Sequence, residues 1–257
     1  MTDVGASPGG RVARILLLTK NEFRLLALDP FPVILLIAIP SLLAAFLSNG
    51  IVGGAAISVP GLAALFGFFG LSTVGFAFYR DHGWGTWTRL RTTPASLLDL
   101  TLAKSVPLAA LFVAQYLVLL SFGLLVLNMP WRGSVLAGLL VVIAIVGVEI
   151  ALGLLFAAYC STINQLNALC NVGGLLIAGL GGALTPVTRL PAWVRDIAPA
   201  SPVYWALRGL RGVIANGDGL GDVVEPVLVL VLIAVAAGSL AIFRLREDDV
   251  KHFYASR

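Results

Sequence analysis

Residues 134–159 read SVLAGLLVVIAIVGVEIALGLLFAAY and carry one charged side chain, Glu149. A run this long and apolar leaves few options, because about 20 such residues suffice for a helix to cross a hydrocarbon core of about 30 Å. Further runs occupy residues 31–48, 59–79, 106–127, 166–186 and 223–243. The first is short and broken by Pro32 and Pro40; the others are nearly charge-free and bounded by Pro, Gly or charged residues. None alternates polar with apolar residues as a barrel strand must. The sequence therefore predicts an all-α integral membrane protein with six transmembrane helices. Charged residues make up 12% of the 257, half the roughly 25% of soluble domains. That composition excludes a cytosolic enzyme, a nucleic-acid-binding domain and a disordered chain.

Basic residues set the expected orientation. With the N-terminus inside, Arg11, Arg14, Lys20, Arg24, Arg80, Arg89, Arg91, Lys104, Arg244, Arg246, Lys251 and Arg257 fall on the cytoplasmic side. Arg132, Arg189, Arg195, Arg208 and Arg211 fall on the other, a bias of twelve to five among the 17. Both termini are expected in the cytoplasm of a multi-pass cell-membrane protein. The first run begins too far behind charged residues for a cleaved leader. Cys160 and Cys170 are too few for a disulfide scaffold.

Three segments outside the spans carry information. Within residues 1–30, Val12, Ile15, Leu16, Thr19, Phe23 and Leu26 share one helical face, with Arg14, Asn21 and Arg24 away from it. This predicts an amphipathic helix in the cytoplasmic interface, either a plain anchor or a working part. Residues 80–104 form the longest cytoplasmic loop. Thr93 before Pro94 reads as an N-cap with proline at the first helical position, starting a helix that runs through Leu97, Leu98 and Leu102 into the third span. Trp84, Trp87 and Leu90 beside Arg89 and Arg91 suit either a protein contact or an interfacial aromatic belt. Residues 187–222 form a long external stretch in which Ser201-Pro202 repeats the cap-plus-proline start and Gly217 ends the helix. Tyr204, Leu207, Arg211 and Ile214 share a face there, fitting either short helices dipping into the outer interface or a lid without substrate contact. Residues 244–257 complete the chain as a cytoplasmic tail.

Chemistry-bearing motifs are sparse. A phosphate-binding loop GxxxxGK[ST] needs a Gly-Lys pair, but Lys20, Lys104 and Lys251 follow Thr19, Ala103 and Val250. No P-loop is possible in these residues, and no catalytic, metal or cofactor site is expected; His82 and His252 stand alone. Glu149 is the one ionisable residue that stands out within a span. A charge there costs about 2.5–3.5 kcal/mol on insertion scales. It reads either as a polar contact in a substrate path or as a hydrogen-bonded carboxyl joining helices, with Gln115, Asn167 and Asn171 as available partners. Gly174, Ala178 and Gly182, and Ala234 with Gly238, form small-residue stripes that let helices approach closely, within one chain or between two.

The loop GTWTRLRTTPAS (residues 85–96), followed by Lys104, resembles the conserved loop of type-2 ABC exporter permeases, which export drugs, polysaccharides or lipids. The stretch TPVTRLPAWVRDIAPASPVYWALRGLRGV (residues 185–213) resembles the family's second signature, and the six spans and amphipathic start complete the likeness. The chain departs from the family where two acidic residues often precede Gly-Thr: Asp81 fills one place and Gly83 the other. The resemblance implies a permease that pairs with a second permease protomer and two cytoplasmic ATPase subunits holding ATP and Mg. It implies that Asp81, Gly85, Thr86, Arg89, Leu90, Thr93 and Pro94 belong to the coupling loop. Pro186, Leu190, Pro191, Trp193, Pro202 and Tyr204 would belong to extracellular re-entrant elements. Drug-efflux members share the Leu-Pro-x-Trp pattern. The alternatives are a secondary transporter, for which no internal repeat is found, and a non-transporting membrane assembly partner.

Overall fold

The computed structural model describes residues 11–28, 31–48, 54–83 and 96–247, and every regular element among them is helical. In chain order these are α1 (Arg11–Leu28), α2 (Phe31–Leu47), α3 (Ala55–Phe69), α4 (Leu71–Gly83), α5 (Leu97–Leu125) and α6 (Val135–Tyr159). There follow α7 (Ile163–Ala168), α8 (Gly174–Leu180), α9 (Ala192–Ile197), α10 (Pro202–Arg211) and α11 (Val224–Glu247). A π-helical turn at Leu169–Gly173 joins α7 to α8, and a second, Gly212–Asn216, extends α10.

Five stretches are long and apolar enough to cross a membrane: Ala55–Tyr79, Leu98–Leu125, Val135–Tyr159, Ile163–Leu180 and Val224–Leu245. The weakest expected span, residues 31–48, corresponds to α2, whose apolar part Ile34–Leu47 is shorter. The run expected to end at Pro186 is helical only to Leu180. Its last residues turn back through Gly182 at φ +86°, a left-handed conformation that glycine adopts without strain.

Helix starts follow local hydrogen bonding. Ser134, Thr162 and Ser201 each accept from a backbone N–H of the first turn of α6, α7 and α10, satisfying donors the helix leaves open. The expected helix running unbroken from Thr93 and Pro94 into the third span is corrected. Ser96 is extended (φ −75°, ψ 159°) and caps α5, accepting from Asp99 N–H while the Asp99 carboxylate accepts from Ser96 N–H. Serine with an acidic residue three positions on closes that reciprocal box and fixes the start at Leu97.

In lipid, tails are as apolar as Leu, so helices associate through close packing rather than water exclusion. Glycines make that packing possible. A Cβ on Gly174 of α8 would come within 2.8 Å of the Phe68 carbonyl oxygen on α3. Gly153 of α6 faces Val74 of α4, and Gly209 of α10 faces Val141 of α6. Gly147 faces Ala234, and Gly238 faces Ala151, so the small-residue stripe of α11 packs on α6 of the same chain. Of the other stripe, Gly174 and Ala178 pack within the chain while Gly182 forms the turn.

The bundle has two faces. On one, Lys104 Nζ donates to the Ala77 carbonyl at 2.6 Å, the Tyr79 hydroxyl donates to the Cys160 carbonyl, and Arg244 lies 5.8 Å from the Tyr159 ring centre. α1 joins this face through Glu22, 3.4 Å from Lys104. On the other, the α5–α6 connection binds the end of α10: Gly133 N–H donates to the Val213 carbonyl at 2.9 Å and Ser134 N–H to Asp218 at 3.1 Å. Glu22 of α1 and Arg244 near the end of α11 thus lie on one face.

Candidate functional site

Three regions bear on function: a polar centre inside the bundle, the short helices of residues 185–217, and the face carrying α1.

The polar centre forms where three spans meet. Gly67 is the midpoint of Ala55–Tyr79, and its missing side chain makes room for the Glu149 carboxyl, which a Cβ there would overlap. The Tyr116 hydroxyl on α5 donates to Glu149 Oε1 at 2.8 Å, with both side chains fully buried. One residue earlier, Gln115 Nε2 donates to the Ala63 carbonyl of α3 at 3.1 Å. Glu149 Oε2 and Gln115 Oε1 have no hydrogen-bond partner among the described residues. These contacts tie α3, α5 and α6 together in a place without water to substitute. The donor to Glu149 is thus none of the amides Gln115, Asn167 and Asn171. Asn171 is exposed and Asn167 lines a cavity elsewhere. No sequence signal marks Tyr116, since a tyrosine in an apolar run reads as packing until its neighbour across the bundle is known.

The sealed geometry makes Glu149→Gln mild, because an amide still accepts from Tyr116. The variant is expected to assemble and to support transport at near wild-type rates, as read by gel filtration and vesicle transport. Normal assembly with lost transport would place Glu149 in the path instead.

The second region is the expected pair of capped helices. Pro186 precedes a 3-10 turn at Val187–Arg189, Leu190 ends that turn, and Pro191 precedes α9. Trp193 is 65% exposed, on the surface of α9. Pro202 is the first residue of α10, behind the Ser201 cap, and Ser201 Oγ also donates to the Ile177 carbonyl of α8 at 2.7 Å. Tyr204 packs edge-on against Trp205, ring centres 5.3 Å apart. Leu207 and Ile214 are buried on the shared face, and Gly217, at φ +91°, ends the helix.

Arg211 is the residue whose role the sequence hid. Its Nη2 donates to Ile57 O of α3 at 3.2 Å and to Gly182 O at 3.0 Å. Burial draws its pKa down to about 10, so the guanidinium stays charged at neutral pH. It clamps the left-handed turn onto the start of α3. A charge on an otherwise apolar helical face was the available signal.

The third region is the α1 face. α5 enters its span here, and Asp81 lies in the last turn of α4. Gly85, Thr86, Arg89, Leu90, Thr93 and Pro94 lie outside the described residues. Glu22 and Lys104 help line a cavity of about 390 Å³ under α1.

Comparison with known proteins gives these regions a context. The family described as "ABC-2 type transporter" matches residues 13–215, from α1 through α10. The chain belongs to this family of transporter permeases. It is 27% identical over 164 residues to the linearmycin resistance permease protein LnrN of Bacillus subtilis (strain 168), covering 61% of this chain and 40% of that one. It is 25% identical over 193 residues to the probable multidrug ABC transporter permease YbhR of Escherichia coli (strain K12), covering 74% and 52%. The permease spans about half the length of these relatives. Family and apolar helices together make it a multi-pass membrane protein of a transporter family.

Proposed function

We propose that this permease is the transmembrane subunit of an ATP-driven exporter, forming with a second permease protomer the path for a hydrophobic or amphipathic substrate. The family match over most of the chain carries the reading. Drug or antibiotic efflux is the favoured cargo because two relatives bear resistance and multidrug names. Lipid or glycan export is the broader class.

Energy comes from two cytoplasmic ATPase subunits, since no Gly-Lys pair exists in these 257 residues to cradle a phosphate. ATP and Mg belong to that partner. The coupling surface is residues 80–104, with Asp81, Gly85, Thr86, Arg89, Leu90, Thr93 and Pro94 docking on the ATPase. Pro186, Leu190, Pro191, Trp193, Pro202 and Tyr204 form the outer re-entrant elements, held to the bundle through Ser201 and Arg211. The α2 helix is the first of six spans. Its Leu36 lines the cavity beneath α1 and its Ala44 is buried in the core, and its 17 residues reach about 26 Å at 1.5 Å per residue.

Two tests follow. Single cysteines replacing Ser7 and Ser256 are expected to react with an impermeant maleimide only from the cytoplasm, and one replacing Asp218 only from outside; both termini reacting from outside would reverse the reading. The purified permease alone is expected to hydrolyse no ATP. Turnover in a sample shown by mass spectrometry to lack any ATPase would contradict the division of labour.

A further inference from the structure

The polar centre leaves two acceptors unmatched, and both are enclosed. Gln115, Tyr116 and Glu149 are each 0% exposed. Tyr116 supplies a hydrogen to Glu149 Oε1, and Gln115 Nε2 supplies one to the Ala63 carbonyl. Glu149 Oε2 and Gln115 Oε1 receive none among the described residues. The two groups are neighbours. Within a helix the Ala63 carbonyl points at the N–H of Gly67, four residues on, and the Glu149 carboxyl lies where a Gly67 side chain would be. Amide and carboxyl therefore meet α3 on one turn. An ionised carboxyl and an amide oxygen can only accept, so neither satisfies the other without a hydrogen between them.

No cation is placed to balance a carboxylate there. Residues 31–48, 55–79, 105–125, 163–180 and 226–243 contain no Asp, Glu, Lys, Arg or His, and residues 134–159 contain Glu149 alone. The elements packed around Glu149 thus bring no formal charge to it, and Tyr116 is the titratable group that faces it. Lys104 precedes Gln115 on α5 by 11 residues, about 16 Å at 1.5 Å per residue, and its Nζ is engaged by the Ala77 carbonyl. Arg211 of α10 reaches α3 at Gly61, about 9 Å along that helix from Gly67, and its Nη2 is held by the Ile57 and Gly182 carbonyls. Full burial also keeps the charges of a second protomer away. A buried carboxyl without a counter-ion takes up a proton rather than stay charged.

We propose that the polar centre is a proton-binding site: Glu149 is a neutral carboxylic acid whose Oε2–H donates to Gln115 Oε1 while its Oε1 accepts from Tyr116. One proton matches both unmatched oxygens. A water molecule in the same place would meet both through its two hydrogens but leave the carboxylate charge without compensation. The chain from Tyr116 through Glu149 and Gln115 to the Ala63 carbonyl then joins α3, α5 and α6 by hydrogen bonds alone. Its neutrality has a consequence for movement. The membrane potential acts on each elementary charge displaced across the bilayer, so helices that shift at a neutral centre do no work against it.

The test is infrared spectroscopy of the purified permease in liposomes at neutral pH, wild type against Glu149→Gln. Glutamine keeps one donor and one acceptor in the same shape, so the variant is a clean reference. The difference spectrum is expected to show the loss of one neutral-carboxyl C=O stretch per chain, above the amide I band, and no loss of carboxylate bands. Gln115→Leu removes the acceptor of the proton and is expected to move that stretch to higher frequency. Tyr116→Phe, which removes the hydrogen bond to Oε1, calibrates the size of the shift, with helicity and gel filtration confirming that the variants are folded. Loss of carboxylate bands in Glu149→Gln would overturn the proposal. So would an unmoved stretch in folded Gln115→Leu. The Glu149→Gln comparison decides the protonation by itself should a Gln115 variant fail to fold. No ATP, ATPase or cargo enters the measurement, so its outcome is independent of whether the permease exports.

Discussion

Gly61→Val is expected to destabilise the permease by about 3 kcal/mol, the upper end of the usual overpacking cost. A Cβ at this position of α3 would overlap the Ala183 carbonyl oxygen and crowd the Arg211 guanidinium at 3.3 Å. The first obstacle is backbone, which cannot rotate away as a side-chain end can. It belongs to the turn that Gly182 makes at φ +86° and that Arg211 clamps to Ile57. Relief of the overlap therefore has to move the turn, the clamp or α3 itself. Gly179→Ala is the matched control, since a Cβ there meets nothing within 4 Å, and alanine in a helix gains about 0.5–1 kcal/mol over glycine. In detergent, thermal unfolding followed by gel filtration is expected to fall by about 10 °C for Gly61→Val and to stay level or rise slightly for Gly179→Ala. Equal melting of both variants would mean that α3 does not bear on this turn.

The larger functional effect is expected at the coupling loop. Gly85→Val or Pro94→Gly should leave insertion and complex formation intact but separate ATP hydrolysis from substrate movement. An ATPase drives a permease only through a surface that transmits its closure, and residues 80–104 are the longest expected cytoplasmic segment between spans. Within that segment the chain enters α5 through the Ser96–Asp99 box, a fixed start for a helix that then runs to Leu125. Movement of the loop therefore passes into a long rigid rod that carries Lys104, Gln115 and Tyr116. Disturbing the loop itself costs no more than about 1–2 kcal/mol of helix capping, too little to unfold the bundle. Export is expected to fall at least ten-fold while ATP turnover persists. Wild-type export by both variants in normally assembled complexes would reduce the loop to an interfacial belt.

Much of the fold was legible because transfer into lipid is a property of runs, and runs are visible in sequence. The helices starting at Val135 and Val224 lie within a residue of their expected starts, and the Ser201-Pro202 start and Gly217 stop of α10 are where capping chemistry puts them. Hydropathy cannot see a turn made of apolar residues, so the run through Gly181, Gly182 and Ala183 read as helix when Gly182 is left-handed. Thr93-Pro94 reads as a helix start but lies outside the described residues, while α5 itself begins behind Ser96, where Ser96 and Asp99 close two reciprocal bonds.

The site was less legible, because its pairings are tertiary. Glu149 was conspicuous as a carboxyl in an apolar span, yet its partner Tyr116 sits 33 residues away and depends on Gly67 leaving room. The small-residue stripes were readable as close contacts but not as contacts within one chain, since spacing carries no information about which helix lies opposite. Arg211 was counted for its charge, and only the fold reveals the carbonyls it holds.

The central claim, that this permease moves an amphipathic substrate at the expense of ATP, is tested most directly in inverted membrane vesicles. The permease is co-expressed there with a candidate ABC ATPase chosen for binding it, and a panel of fluorescent amphipathic dyes is followed on adding ATP and Mg. ATP-dependent dye uptake is expected with the active ATPase, and none with an ATPase whose P-loop lysine is replaced or with vesicles lacking the permease. A bound, hydrolysing ATPase with no permease-dependent movement of any dye, antibiotic, lipid or glycan supplied would contradict the account.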